Sequence, residues 1–178
     1  YDPSYLKIAA NSFEVKRKKW LENLFNQYRS YINDNLLEEI KEKGKFDKRS
    51  WEIYLGCSVL NNKVSLEGKP QKGPDLKVIN NNKLIWVEAV ASGPGEGKNK
   101  VETIEDTLSQ FSSGTMVSRG GSIDQLNEPK ILRIRSAIDG KFLKYNNYIR
   151  ENIIKREDPY IIAINGAGFD GWQLSQQL

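Results

Sequence analysis

Histidine is absent from this 178-residue chain, and cysteine and methionine occur once each. Without histidine there is no Ser-His-Asp or Cys-His machinery and no histidine-based zinc site, so any catalysis must draw on carboxylates, lysines, tyrosines or a metal. The single cysteine, Cys57, excludes an internal disulfide framework. Set in a run of apolar neighbours, it reads as a packing residue rather than a nucleophile. No apolar run approaches the ~20 residues of a membrane span, and no signal-peptide pattern precedes the first charged residues. No membrane partner is expected, and the cytoplasm is the expected compartment.

What is present suffices for one folded domain: 38% of residues are apolar and 10% aromatic. An excess of 27 Lys and Arg over 23 Asp and Glu gives a net charge of +4 and a pI near 9.0. That balance permits nucleic acid or another anionic surface as partner without requiring either.

The most informative stretch is GPDLKVINNNKLIWVEAVA, residues 73–91. Two apolar runs, 76–79 and 84–90, flank three asparagines and predict an antiparallel hairpin with Asn81 and Asn82 as its loop. Asn80 then faces Lys83, Val78 faces Ile85, and Asp75 falls opposite Glu88. Directly opposed residues have Cβ atoms ~5 Å apart, so the two carboxylates repel unless a cation lies between them or one is protonated. The spacing suggests a divalent metal site. Leu76, Val78, Ile85 and Val87 make the apolar face, while the acids share theirs with Lys77, Ile79, Leu84, Trp86 and Val90. An aspartate after proline can also cap its own turn.

Upstream, the spacing of Trp20, Leu24, Tyr28, Tyr31, Leu36, Leu37 and Ile40 predicts amphipathic helix over 11–44, capped by Asn11 or Ser12 and broken near 33–35. Lys16, Arg17, Lys18 and Lys19 read as its solvated face. A second helix is predicted from Asp47 or Ser50 to Leu60, closed by Asn61 and Asn62. Glu52 lies one turn before Leu55 and Gly56, so packing that stripe carries Glu52 inward; a glutamate in such a helix otherwise sits at the stripe's edge and reaches water. A strand at 63–67 and a turn-rich link at 68–73 lead into the hairpin. Beyond it come a glycine-rich exit at 92–100, helical promise at 101–111 and a loop at 112–122. A short strand is expected after Pro129 and a helix from Ser136 through Phe142, Tyr145, Ile149 and Ile153, ended by Asp158 and Pro159. Residues 159–165 read as a central strand buried on both faces. The division expected is a helical extension, 1–46, packed on a domain at 47–178 as one structural unit.

The order helix, three strands, helix, strand, with Glu52 on the first core helix and Asp75 and Glu88 on adjacent strands, resembles the PD-(D/E)xK nuclease superfamily. The resemblance covers roughly 50–165, and its central motif is matched by Pro74-Asp75 and Glu88. It implies an α/β, restriction-endonuclease-like fold: a mixed central sheet flanked by helices in the order α-β-β-β-α-β. It further implies a Mg2+- or Mn2+-dependent nuclease in which Asp75, Glu88 and the Ala89 backbone carbonyl hold the metal and Glu52 is a further acid for a second metal or a metal-bound water. The implied partner is nucleic acid, DNA ahead of RNA, and members often act as homodimers.

One position departs from the family. The residue two after the glutamate is usually lysine, and here it is Val90. Lys77, Lys98, Lys100, Lys141 and Lys144 are candidates to replace it. Lys141 and Tyr145, four residues apart on one helical face, resemble the Q-x-x-x-Y helix of the superfamily's exonuclease branch, with Lys141 in the glutamine slot. The alternative is an inactive nuclease-fold module that binds nucleic acid or a protein. A minor alternative is nucleotide binding at 92–98, where Ser92 replaces the first P-loop glycine and Asn99 the hydroxyl residue. The GxGxxG match at 166–171 leaves seven residues for the helix and strand it needs, and reads as accidental.

Overall fold

The structure, a computed structural model, describes residues 1–11, 14–32, 35–68, 72–95, 100–101 and 123–166. The chain divides into two compact units, one of residues 1–90 with 144–163 and one of 91–143 with 164–178.

In the first unit, α1 (Pro3–Ala10) begins as its sequence dictates: Asp2 is the N-cap, its Oδ1 accepting from Ser4 N–H at 2.8 Å, and Pro3 opens the helix. The other carboxylate oxygen of Asp2 accepts from Gly44 N–H at 2.7 Å, which ties the chain start to the loop before α4. This helix was not expected. Asn11 ends it rather than starting the next, and Ser12 lies outside the described residues. Next come α2 (Val15–Tyr28), a 3-10 turn (Arg29–Tyr31), the short α3 (Leu36–Glu39) and α4 (Phe46–Asn61). Helix α4 ends with Lys63 at φ 58°, and Val64 N–H returns to Val59 O at 3.2 Å, a Schellman-type stop.

Gly56 is required where α2 and α4 meet. A Cβ at this position would lie 2.2 Å from the Tyr28 ring, which is 1% exposed and stacks on Tyr31. Around that contact Ile8, Tyr28, Leu36, Ile40, Phe46, Ile53 and Cys57 join Leu66, Leu76, Val78 and Val87 in one core. The thiol of Cys57 donates to Leu24 O, and burial pushes its pKa up to about 11, in keeping with a packing role.

The sheet has the order β1 (Ser65–Glu67), β2 (Leu76–Asn80), β3 (Lys83–Ala91), β4 (Tyr160–Asn165). The hairpin register is the one expected: Leu76 faces Val87, Val78 faces Ile85 and Asn80 faces Lys83. Asn81 and Asn82 both take positive φ, 50° and 61°, as a two-residue type I′ turn demands. β1 is antiparallel to β2. Trp86 N–H donates to Pro159 O and, six residues along both strands, Ser92 N–H donates to Asn165 O, so β4 runs parallel to β3. The sheet is mixed and flanked by helices.

Two expectations are corrected. Residues 129–135 are not a strand: they belong to α5 (Ile123–Arg150), a 28-residue helix with Pro129 inside it. β4 is an outermost strand of the described sheet, not a central one, and Ile161 on it is 48% exposed. An apolar run of that length looks the same in either position.

In the second unit Arg133 donates from Nε and Nη2 to Gly93 O, both at 3.3 Å, and Val101 N–H donates to Pro94 O at 2.8 Å. The helix expected at 101–111, apart from residue 101 itself, and the loop expected at 112–122 lie outside the described residues, as do most of 166–171 and part of 92–98.

Candidate active site

Three of the sequence's candidate acids are buried together in the first unit: Glu52 is 0%, Asp75 7% and Glu88 2% exposed. Continuing the hairpin register by one pair sets Asp75, just before β2, against Glu88 on β3. A hydrogen bond fixes the approach. Ala89 N–H donates to Asp75 Oδ2 at 2.9 Å, so this carboxylate reaches across to the neighbouring strand instead of serving only its own turn.

Glu52 does point inward, and the reason is Arg49, one turn earlier on α4. Arg49 Nη1 lies 2.6 Å from Glu52 Oε2 and 4.0 Å from Asp75 Oδ1, and its Nη2 pairs with Glu39. Burial disfavours the guanidinium charge, but the fields of Glu52, Glu39 and Asp75 more than offset it, and the pKa of Arg49 is raised. Lys48 adds a further cation, 3.9 Å from Asp75 Oδ1. Neither residue was singled out from the sequence, although a cation three residues before a buried glutamate is the usual helical ion-pair spacing.

At the other acid, Lys144 Nζ stands 3.7 Å from Glu88 Oε1. Lys144, one of the lysines considered as substitutes for the motif lysine, therefore stands beside Glu88. Lys77 instead pairs with Glu67 and lies 5.5 Å from the Trp86 ring centroid, and Val90 is buried. Lys141 belongs to the second unit. Four residues after Lys144, Tyr148 Oη donates to Gly73 O at 3.2 Å, close to Asp75 in sequence. Lys144 and Tyr148 have the same four-residue spacing as Lys141 and Tyr145, one turn further along the helix. Tyr145 packs on Tyr160, ring centroids 4.8 Å apart.

Tyrosines surround the acids. Burial first, then the negative fields of Glu88 and Asp75, push Tyr148 up to about 12. Tyr160 is raised further by burial, Glu88, Tyr148 and Asp75, and Tyr28 by burial, Glu52 and Asp75. All three remain neutral phenols at physiological pH. The Tyr160 hydroxyl is buried and, among the described residues, makes no hydrogen bond.

The donor chemistry can be tested against a metal. Asp75 and Glu88 are hard oxygen donors, and Mg2+ needs only one or two carboxylates with waters. Glu52 fits less well, because its Oε2 is engaged by Arg49. Among the described residues no group of three or more acidic or thiol side chains converges as a metal cage. None of the described helices is long and apolar enough to cross a membrane. Comparison of the chain with protein-family models, curated proteins and solved structures finds no match.

Proposed function

We propose that this protein is a metal-dependent nuclease of the PD-(D/E)xK type, hydrolysing phosphodiester bonds of nucleic acid, with DNA preferred to RNA. The observation that carries the reading is the buried Asp75–Glu88 pair, joined across the hairpin by the Ala89 N–H bond and faced by Lys144. Asp75, Glu88 and the Ala89 carbonyl would hold Mg2+ or Mn2+, which supplies the charge that ionises a water and stabilises the pentacoordinate phosphorus. Lys144, half exposed on α5, takes the role of the missing motif lysine: its ammonium steadies the water's proton loss and the developing negative charge. Tyr148 holds the turn before Asp75 through Gly73 O and so orients that carboxylate. Arg49 pairs with Glu52 and stands 4.0 Å from Asp75, so it links the helix acid to the hairpin acid.

A second reading rests on that same arginine. With Arg49 and Lys48 already drawn to Asp75, the acids form a compensated ion network, as suits a nuclease-fold module that binds nucleic acid without cutting it.

Cleavage of labelled DNA and RNA with Mg2+ or Mn2+ separates the two. Outer partners of metal ligands are worth about 10–100-fold, so Asp75→Asn and Glu88→Gln should each lower the rate by more than about 100-fold. Lys144→Ala should cost about 100-fold. Calorimetry should show metal uptake by the wild type that both acid variants lose. Activity surviving both acid substitutions would end the nuclease assignment at this site.

A further inference from the structure

Away from the acids, α2 and α4 carry three aromatic rings in sequence across their outer surface. Trp20 and Tyr54 have ring centroids 6.2 Å apart, and Tyr54 stacks on Trp51 at 5.4 Å with an interplanar angle of 14°. Core packing does not account for them: Trp20 is 49% and Tyr54 42% exposed. The inner end is anchored, since Trp51 Nε1 donates to Ala163 O at 3.0 Å. Immediately before Trp20 stand Lys16, Arg17, Lys18 and Lys19, all exposed, and Glu22 is the one acid within α2. Lys16 and Arg17, four and three residues before Trp20, share its side of the helix.

We propose that this ladder binds single-stranded nucleic acid, the rings stacking on unpaired bases and the α2 cations tracking the phosphates. Flat exposed rings beside clustered positive charge complement a polyanion that also presents π faces. A duplex buries its base faces, and an acidic peptide has the charge without the rings. The inference extends the nuclease reading to a strand-holding surface, but it stands on different residues and survives if the acids prove inert.

The test measures fluorescence anisotropy of a labelled oligothymidylate and of an equally long duplex, in EDTA and in an Asp75→Asn background, so that cleavage plays no part. The single strand should bind about tenfold more tightly than the duplex. Trp20→Ala and Tyr54→Ala should each weaken it about tenfold, with Trp20→Phe retaining most of the affinity. Lys16→Ala with Arg17→Ala should flatten the salt dependence by about 1.4 in log–log slope. Trp20 is a surface residue, and unchanged circular dichroism and melting would establish that its variants are folded. Equal affinity for duplex and single strand, equal affinity for polyglutamate, or binding unaffected by Trp20→Ala would each overturn the proposal.

Discussion

Glu52 and Glu88 are both buried glutamates facing a cation, yet the two environments differ in what they permit. Glu52 is gripped by Arg49, whose own side chain is 13% exposed and also holds Glu39. Glu88 faces Lys144, which is 52% exposed, at a distance of 3.7 Å. A guanidinium buried between carboxylates is committed to them, whereas an ammonium on a half-solvated stem can turn to water and yield its place. The first arrangement serves the fold. The second leaves Glu88 with a displaceable partner, as the proposed metal site requires.

Substituting each acid in turn sharpens this contrast. Glu52→Gln strips Arg49 of its closest buried partner and should cost about 3 kcal/mol. For a chain of this size that lowers Tm by about 6–12 °C, readable by calorimetry. Glu88→Gln should change stability by less than about 1 kcal/mol, because Lys144 regains solvent, while abolishing cleavage. Equal losses at the two positions would erase the distinction.

The helix contact behind Glu52 offers a second probe. Gly56→Ala puts a methyl into the Tyr28 ring and should destabilise the protein by about 1–3 kcal/mol in a urea melt, with metal uptake at Asp75 and Glu88 retained in the folded fraction.

The smallest effect is alkaline. Tyr28, Tyr148 and Tyr160 hold their protons more tightly in the folded state than the ordinary 10.0, so above that pH the native protein binds more protons than the unfolded chain. Stability is full below pH 10.0 and falls as pH rises, through about 12 for Tyr148. Tyrosinate absorbance should show these phenols ionising last. Glu88→Gln should bring Tyr148 and Tyr160 forward but not Tyr28, and Glu52→Gln the reverse.

Much of the acid pair was legible in the sequence, because alternation and the Asn-Asn turn together fix the hairpin register, and a helical stripe carries Glu52 inward. The cations were less so. Arg49 and Lys48 look like ordinary surface charge until the burial of their partners is known. On α5, Lys141–Tyr145 and Lys144–Tyr148 have the same spacing, and periodicity alone does not choose between them. Pro129 suggested a boundary because proline costs about 3 kcal/mol inside a helix; the rest of the 28-residue helix carries it through. The N-terminal helix had its signal in Asp2-Pro3, an N-cap followed by proline.

The type I′ turn at Asn81 and Asn82 makes chain length, more than residue identity, the guarded property of residues 75–88. One residue inserted or lost anywhere between the acids slips the ladder and sends one carboxylate to the opposite side of the sheet. The strand positions between them can drift among apolar types while the count holds. A single-codon deletion at the hairpin tip, remote from both acids, would therefore separate Asp75 from Glu88 as thoroughly as replacing either one.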